Sequence, residues 1–373
     1  MHDDSQQQAY DEMEVRIFRE GTNSYVAEIS QTEDTVSCRL TSPPIEALNE
    51  NNDPRSYGIQ LFEWLFREDL LDMLRRARWS TEMYSRAAGP VSGVRLRLWL
   101  DPQAEELHSL WWEAMYDSLR EEPLSIDMAF SRYLRVRTPR GWPISDRPIK
   151  TLFIASNPEG LDRFGVTPIE VSRERDIIKK ATSSVSQFMT LDELTSELTP
   201  QNLRRALSPG YHIVHVLAHA TVVDGRGCLI LADDTGRAYA APFEEVAKVL
   251  AISSKEVPHF VYLSTPLSAG DQVGETLVRF APTLIEAGVQ AVIAAQAPID
   301  DKKLWLFTER FYNILIRTGV IDMAVAEARL RIYSSSKWEW AYPVLYMRTP
   351  DAQLFHPLSD SLEATVKNIK QSY

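Results

Sequence analysis

Two apolar runs of the chain, each with the length of a β-strand, lead to a histidine and a proline. The first run, residues 211–220, reaches His219 near its end, and the second, residues 259–270, reaches Pro266 where small and polar residues begin. In α/β domains the carboxyl ends of parallel strands carry the chemistry, so both positions are expected at one edge of a sheet. His219 can act as a general base when a nucleophile lies within hydrogen-bond reach. Pro266 offers neither a nucleophilic atom nor a backbone N–H.

Other side chains near these runs provide alternative nucleophiles. Ser264 and Thr265 end the second run, and a hydroxyl beside His219 can be activated as a nucleophile. Such residues are also common in loops, where they form turns. Cys228 lies in a short apolar segment, which favours a small buried core residue over a relocated nucleophile. Cys38 lies far from these motifs in sequence, and we interpret it as structural.

The composition limits the class of protein. Only two cysteines occur among 373 residues, which excludes a disulfide framework and a cysteine-based zinc site and favours a reducing cytoplasm. No apolar run approaches the ~20 residues of a membrane helix, and residues 1–15 lack the features of a secretion signal. The net charge of -12 disfavours non-specific binding to nucleic acid. The glycine-rich signatures of nucleotide-binding loops are absent, so no cofactor is expected.

The pattern of apolar residues changes near residue 145. The elements expected before that point are strands within 13–30 and 35–40, a helical stripe across 59–74, and an arginine-containing strand with one solvated face at 91–100. Strands and helices alternate after it, which predicts a mainly parallel sheet covered on both faces. The predicted segments are a disordered tail at 1–9, an α+β N-terminal region at 10–145, a core domain at 146–357 and a C-terminal tail at 358–373.

A basic run crosses the boundary between the two regions. Its members are Arg132, Arg135, Arg137, Arg140, Arg147 and Lys150, with Tyr133 and Trp142 between them. Aromatic and basic residues together can bind an acidic partner or RNA. A solvated strand edge that continues into a linker explains the run more simply, because the strand beginning at Arg132 alternates as an exposed face would.

Short segments along the chain resemble, in the same order, the motifs of the CHAT family, whose caspase-related domains often accompany tetratricopeptide repeats. The segments are LWWEAM at 110–115, HIVHVLAHA at 212–220, LSTP at 263–266, GVQAVIA at 288–294, FYNIL at 311–315 and WAYP at 340–343. An alanine-rich helical segment with Arg329 adds to the match, which covers residues 90–355. Each segment is weak alone, and their common order and spacing carry the resemblance.

The resemblance implies a caspase-like α/β fold, a three-layer sandwich with a mostly parallel central sheet, preceded by a smaller α+β N-terminal region. It also implies an ancestral cysteine-peptidase site of clan CD, in which a histidine assists a thiolate and backbone amides stabilise the oxyanion. His219 matches the family's catalytic histidine, whereas Pro266 stands at the position of its cysteine and Ala220 at that of a glycine. Together with Thr265, these replacements indicate that the peptidase chemistry has been lost.

Acidic residues near the site suggest the rest of a substrate or partner cleft. Related peptidases bind a basic substrate side chain through carboxylates, and Asp224, Asp300 and Asp301 lie in segments that could supply them. The alternative is that these residues form turns or cap helices.

The leading hypothesis is a cytoplasmic pseudopeptidase that acts through protein–protein interaction. It would regulate or scaffold a peptidase or another effector in a prokaryotic defence system, with a peptidase, an effector or a repeat protein as its partner. One alternative is an active CHAT endopeptidase that uses Ser264 or a neighbouring serine or threonine hydroxyl with His219. Another is a small-ligand sensor that uses the vacant cleft near Asp224. No metal, membrane or nucleic-acid partner is expected, and the sequence leaves the oligomeric state open.

Overall fold

The computed structural model describes most of the chain. The described residues are 10–44, 53–88, 93–136, 141–183, 186–194, 197–252, 257–264, 280–297 and 299–358. The chain divides into two compact units, Met1–Tyr133 and Leu134–Tyr373. The four segments proposed from sequence, with their seam near residue 145, stay a prediction.

The first unit is an α+β region built on a mixed sheet. Strands β1 (Asp11–Gly21), β2 (Ser24–Gln31) and β3 (Asp34–Thr41) form an antiparallel meander at the positions that the sequence predicts. The elements that follow are α1 (Pro54–Leu65), α2 (Glu68–Ala88), β4 (Val94–Leu100), α3 (Glu105–His108), β5 (Tyr116–Asp117), β6 (Glu122–Pro123), α4 (Leu124–Asp127) and β7 (Ala129–Tyr133). Strand β4 pairs in parallel with β1 on one side and with β7 on the other.

The helical stripe predicted for residues 59–74 is interrupted near its middle. Phe66 leaves the helical conformation, with φ -89° and ψ 89°, and its N–H donates to the carbonyl of Phe62, so α1 ends there. The next helix begins at Glu68, whose φ is 45°. Apolar side chains on both helices are buried. The stripe therefore identifies the packed face, while the break arises from backbone conformations that an apolar pattern does not encode.

The arginines of β4 correct the prediction of a solvated strand face. Arg95 and Arg97 are buried, and they lie opposite Glu12 and Glu14 in the pairing of β4 with β1. The guanidinium groups of Arg95 and Arg97 each lie 3.4 Å from the carboxylate of Glu12. Arg95 also lies 4.3 Å from the ring centroid of Tyr10. The alternation of apolar residues with arginine therefore reflects buried guanidinium groups that pair with a partly exposed carboxylate, a pattern that resembles a solvated face in sequence.

A second correction concerns Arg132, which the basic run placed on an exposed strand edge. Arg132 is 2% exposed, and it binds Glu113, which is fully buried. Its Nε and Nη2 atoms donate to the two carboxylate oxygens of Glu113 at 3.0 and 2.7 Å. The same guanidinium donates to the carbonyl oxygens of His108 and Leu110. Both carboxylate oxygens thus have a charged donor, as the burial of two charges requires.

The second unit alternates strands and helices around a mostly parallel sheet. Its elements are β8 (Ile149–Ala155), α5 (Val171–Thr182), β9 (Met189–Glu193), α6 (Pro200–Leu207), β10 (Ile213–Leu217), β11 (Ala220–Val223), β12 (Arg226–Ala232), β13 (Ala238–Pro242), α7 (Phe243–Ile252), β14 (Phe260–Ser264), β15 (Ala291–Ala295), α8 (Asp301–Thr318), α9 (Ile321–Tyr333) and β16 (Pro343–Met347). The sheet runs β16-β15-β14-β10-β8-β9, and only β16 is antiparallel to its neighbour among these strands. Strands β11–β13 form a separate antiparallel sheet.

Alternate residues of this sheet point into two different layers. Val214 and Val216 of β10 join a buried cluster that includes side chains of α6, α7 and residues 280–285. His215, between them, faces the other way and contacts α5 and α8. Helices therefore cover both faces of a mostly parallel sheet, which confirms the predicted caspase-like α/β sandwich.

Two general properties complete the fold. None of the helices in the described ranges is long and apolar enough to cross a membrane. Within the same ranges, histidine, cysteine and carboxylate side chains form no group of three or more that could hold a metal ion.

Candidate functional site

The two apolar runs singled out in the sequence are neighbouring parallel strands, β10 and β14. Leu217, at the end of β10, lies opposite Ser264, at the end of β14. The N–H of Ala218 donates to the carbonyl of Ser264 at 3.3 Å, which holds the two strand ends together just before His219. The strand ends therefore meet at the carboxyl edge of the sheet, where ligands bind in open α/β sheets.

His219 is held in one protonation form by its surroundings. Its side chain is buried, and Nε2 lies 2.8 Å from the carbonyl oxygen of Thr167. A carbonyl only accepts, so Nε2 must carry the proton and Nδ1 is left as an acceptor in the neutral ring. Nδ1 is buried and has no hydrogen-bond partner among the described residues. Burial lowers the pKa of His219, and the bond to Thr167 offsets this only in part, so the neutral base is favoured.

Among the described residues, Ser264 carries a hydroxyl group at the same strand ends. Its residue is 4% exposed, and its Oγ has no hydrogen-bond partner within the described part of the chain. Ser156, at the end of β8, differs because its Oγ donates to the carbonyl of Ile230 at 2.7 Å. Thr265 and Pro266 lie outside the described residues, so their predicted roles stay predictions.

Ala220 and Asp224 belong to a hairpin that begins directly after the histidine. Ala220 is buried as the first residue of β11 and pairs with Leu229 of β12. Asp224 and Gly225 form the tip, with φ of 50° and 75°, and both are exposed. Positive φ at both central residues is the conformation of a tight hairpin turn, which Asp-Gly pairs favour. The structure thus gives Asp224 the turn role that the sequence left as an alternative.

Asp300 has an equally specific local role. Its carboxylate accepts hydrogen bonds from the backbone N–H groups of Lys302 and Lys303, at 3.1 and 3.4 Å. It is therefore the N-cap of α8. Asp301 is the first residue of that helix. The capping role accounts for Asp300, while a substrate-binding role for the pair stays a prediction.

Neither cysteine has the surroundings of an activated thiol. Cys228, in β12, is buried, and its Sγ donates to the carbonyl of Arg226 at 3.6 Å. Burial, followed by the charge of Glu244, raises the pKa of Cys228. Burial likewise raises the pKa of Cys38, which lies in β3 of the first unit. Both thiols are therefore expected to stay protonated and weakly nucleophilic at neutral pH.

A buried polar network supports β10 from the layer of α5 and α8. Nε2 of His215 lies 3.4 Å from the carboxylate of Glu174, and Nδ1 lies 3.0 Å from the hydroxyl of Tyr312. The ring also lies against Tyr262, with the centroids 4.5 Å apart. Burial lowers the pKa of His215 despite the carboxylate, so the ring is neutral, with Tyr312 donating to Nδ1. The sequence of β10 does not reveal these partners, because Glu174 and Tyr312 lie on helices distant from it along the chain.

Acid should destabilise the protein through this histidine. The pKa of His215 in the folded state lies below its unfolded value of about 6.5. The unfolded chain therefore binds the extra proton first, and stability is lost as the pH falls below that value. Between pH 7.5 and 5.5, the wild type should lose up to about 1.4 kcal/mol more than His215→Gln in urea unfolding. His356→Gln, at an exposed position, is the control, and equal losses in all three proteins would contradict the assignment.

A hollow of about 150 Å³ lies away from these strand ends. It is bounded by α6, α7 and the β12–β13 hairpin, and its walls include Leu203, Leu231 and Val246. This volume matches a cavity that holds a small aromatic molecule. His219 and Asp224 do not line it, so it is distinct from the cleft expected in the sequence.

Thr167 is the participant that the sequence did not indicate. Its contribution is a backbone carbonyl, which every residue type possesses, so no residue pattern identifies it. Its position in the loop before α5 brings it to His219 across 52 residues of sequence. The pair Asn157-Pro158 marks the start of this loop in the sequence, but it does not indicate which backbone group reaches His219.

Comparison with solved structures gives low similarity. The chain is similar to the Arg-specific cysteine proteinase gingipain R, at 13% identity over 74% of this chain and 67% of that one, with a TM-score of 0.42. It is similar to the complex of Porphyromonas gingivalis RgpB pro- and mature domains, at 12% identity over 77% and 72%, with a TM-score of 0.44. Against the Saccharomyces cerevisiae separase–securin complex the identity is 14% over 74% of this chain and 17% of that one, with a TM-score of 0.40. No curated protein matches the sequence.

The comparison with family models gives a match over most of the chain. The model of the CHAT domain matches residues 55–361, which include both strand ends and most of the elements around them. The match begins in the first unit and continues through the second. The resemblance found in the sequence is thereby confirmed: the chain belongs to the CHAT domain family.

Proposed function

We propose that this chain is a CHAT-domain pseudopeptidase that binds a polypeptide partner without cutting it. In this role it regulates or scaffolds a peptidase or another effector, within a prokaryotic defence system. The observation that carries the proposal is the absence of an activated thiol beside a well-positioned histidine. The family resemblance places Pro266 at the position of the cysteine, and burial raises the pKa of both cysteines of the chain, Cys38 and Cys228.

The polar atoms at the strand ends favour binding. Nδ1 of His219 and Oγ of Ser264 are buried and have no hydrogen-bond partner within the described ranges. Leaving such atoms unpaired costs about 1–3 kcal/mol each, so a ligand that displaces the residues covering them and supplies a donor gains from them. Backbone N–H groups of a polypeptide are donors of this kind.

The hairpin beside His219 adds a surface for the rest of a bound chain. Among the described strands, β11 pairs only with β12 and forms the edge of its sheet. Val222 and Val223 on this strand are 44% and 39% exposed. An extended polypeptide can add to such an edge through main-chain hydrogen bonds and cover the apolar side chains.

Selection of extended peptides from a displayed random library tests the proposal. Selected peptides should bind the wild type and His356→Ala equally and lose about tenfold in affinity on His219→Ala, the expected effect of one lost hydrogen bond. Mass spectrometry should recover the peptides intact after long incubation. Equal affinities of the wild type and His219→Ala would contradict the proposed site, and cleaved peptides would contradict the loss of peptidase activity.

A second candidate function is an active peptidase with Ser264 as its nucleophile. Ser264 and His219 follow the paired ends of β14 and β10, and a serine nucleophile needs an adjacent base, although Oγ of Ser264 and Nδ1 of His219 are not hydrogen-bonded to each other in this structure. A fluorophosphonate probe should then label Ser264, and labelling should vanish in His219→Ala. Ser156→Ala is the matched control, since that hydroxyl is already hydrogen-bonded. The pseudopeptidase proposal expects no labelling in any of these proteins.

A further inference from the structure

The side chain of Asn157 makes a paired contact with the loop that reaches His219. Asn157 follows β8 at the carboxyl edge of the sheet. Its Oδ1 accepts from the backbone N–H of Ile169 at 3.0 Å, and its Nδ2 donates to the carbonyl of the same residue at 3.3 Å. A side-chain amide that pairs with both groups of one peptide residue fixes the position and the orientation of that backbone.

Thr167 lies two residues before this contact. On its other side, Val166 packs against a small cluster of Leu161, Ile230 and Ala238. The backbone N–H of Val166 also donates to the carbonyl of Leu161 at 3.4 Å, so this side of the loop is held by packing and by one long hydrogen bond, neither of which involves the Thr167 carbonyl. The two hydrogen bonds from Asn157 are directional and act from the side of the loop that leads into α5.

We infer that Asn157 is a positioning residue for His219, acting through the carbonyl of Thr167. By holding Ile169, it keeps that carbonyl directed at Nε2, which retains the proton on this nitrogen and leaves Nδ1 as the acceptor. Asn157 therefore determines which hydrogen-bonding partner the site can receive: a donor, such as the N–H of a polypeptide or a hydroxyl. The role applies to a binding site and to a catalytic site alike.

Solvent exchange of the ring N–H of His219 tests the inference by NMR. The resonance is assigned as the imidazole N–H that disappears in His219→Ala. In Asn157→Ala it should exchange with solvent about tenfold faster, since a lost intramolecular hydrogen bond has an effect of this order. Asn202→Ala is the matched control, because Asn202 also donates from its side chain to a backbone carbonyl, that of Glu197, elsewhere in the unit.

Faster exchange in Asn157→Ala together with unchanged exchange in Asn202→Ala supports the inference. Unchanged exchange in Asn157→Ala, or equal acceleration in both variants, overturns it. If Asn157→Ala does not fold, Asn157→Asp keeps the acceptor and replaces the donor by a charged oxygen that repels the carbonyl of Ile169, and it must still exchange faster than the wild type. The measurement does not involve a peptide, so its outcome is independent of the proposed function.

Discussion

Replacing Glu113 with alanine is expected to lower the free energy of unfolding by about 3–5 kcal/mol. The guanidinium of Arg132 would keep its carbonyl partners but lose both charged acceptors inside the first unit. An uncompensated buried charge is much more costly than the pair that it came from. Urea unfolding measures the loss, followed by the fluorescence of Trp112, which is fully buried beside the substituted residue.

An exposed ion pair in the same unit provides the comparison. The carboxylate of Glu82 lies 2.8 Å from the guanidinium of Arg120, and the two side chains are 46% and 40% exposed, respectively. Glu82→Ala should cost less than about 1 kcal/mol, because water and salt screen such pairs. If Glu113→Ala cost no more than Glu82→Ala, the burial of the Arg132 pair would not have the energetic weight assigned to it.

Replacing Pro266 with cysteine is expected to create a reactive thiol that depends on His219. If Pro266 stands beside the histidine, as the family resemblance implies, Nδ1 of the neutral ring can accept the proton of the introduced thiol, and the resulting thiolate–imidazolium pair lowers the pKa of that thiol. Alkylation by iodoacetamide at pH 6 should then be on the order of tenfold faster than in the variant that also carries His219→Ala. Cys228 is the internal reference, because its raised pKa makes it react slowly in every variant.

The Pro266→Cys variant also distinguishes two ways in which the site could have lost peptidase activity. Equal alkylation rates with and without His219 would contradict the placement of Pro266 beside the histidine. Peptide cleavage by Pro266→Cys would show that only the nucleophile was lost. Rapid alkylation without cleavage would show that the oxyanion-binding backbone has changed too, as Ala220 in place of glycine suggests.

The fold was largely predictable because its signals are local. Short apolar runs and turn residues gave the β1–β3 meander, and their alternation with helices gave the parallel sheet of the second unit. The exposure of the arginines of β4 and β7 was predicted wrongly. Alternation along a strand indicates that its two faces differ, but it does not show which groups pack against each face. Pairing of Arg132 with Glu113 joins residues 19 positions apart, and nothing in either segment reveals the partner.

The site was predictable only where side chains define it. His219 was found because its residue type and its place after an apolar run both indicate chemistry. The carbonyl of Thr167 and the paired contact of Asn157 with Ile169 were missed because they depend on backbone atoms brought together by the fold. The sequence left two roles open for Asp300, a carboxylate of the substrate cleft and a turn or helix-capping residue. Only the positions of the backbone N–H groups of α8 identify it as a cap.

The burial of arginines changes how the protein meets other molecules in solution. The buried arginines of the described residues are Arg78, Arg95, Arg97, Arg132, Arg329 and Arg348, and the buried acids are Glu113, Asp117, Glu174 and Asp322. Among the described residues six positive charges lie inside against four negative ones, so the described part of the surface is more acidic than the composition of those residues suggests. Such a surface attracts basic partners over distances up to the Debye length, about 8 Å at physiological ionic strength. Added salt should therefore slow the encounter with a basic partner and speed that with an acidic one.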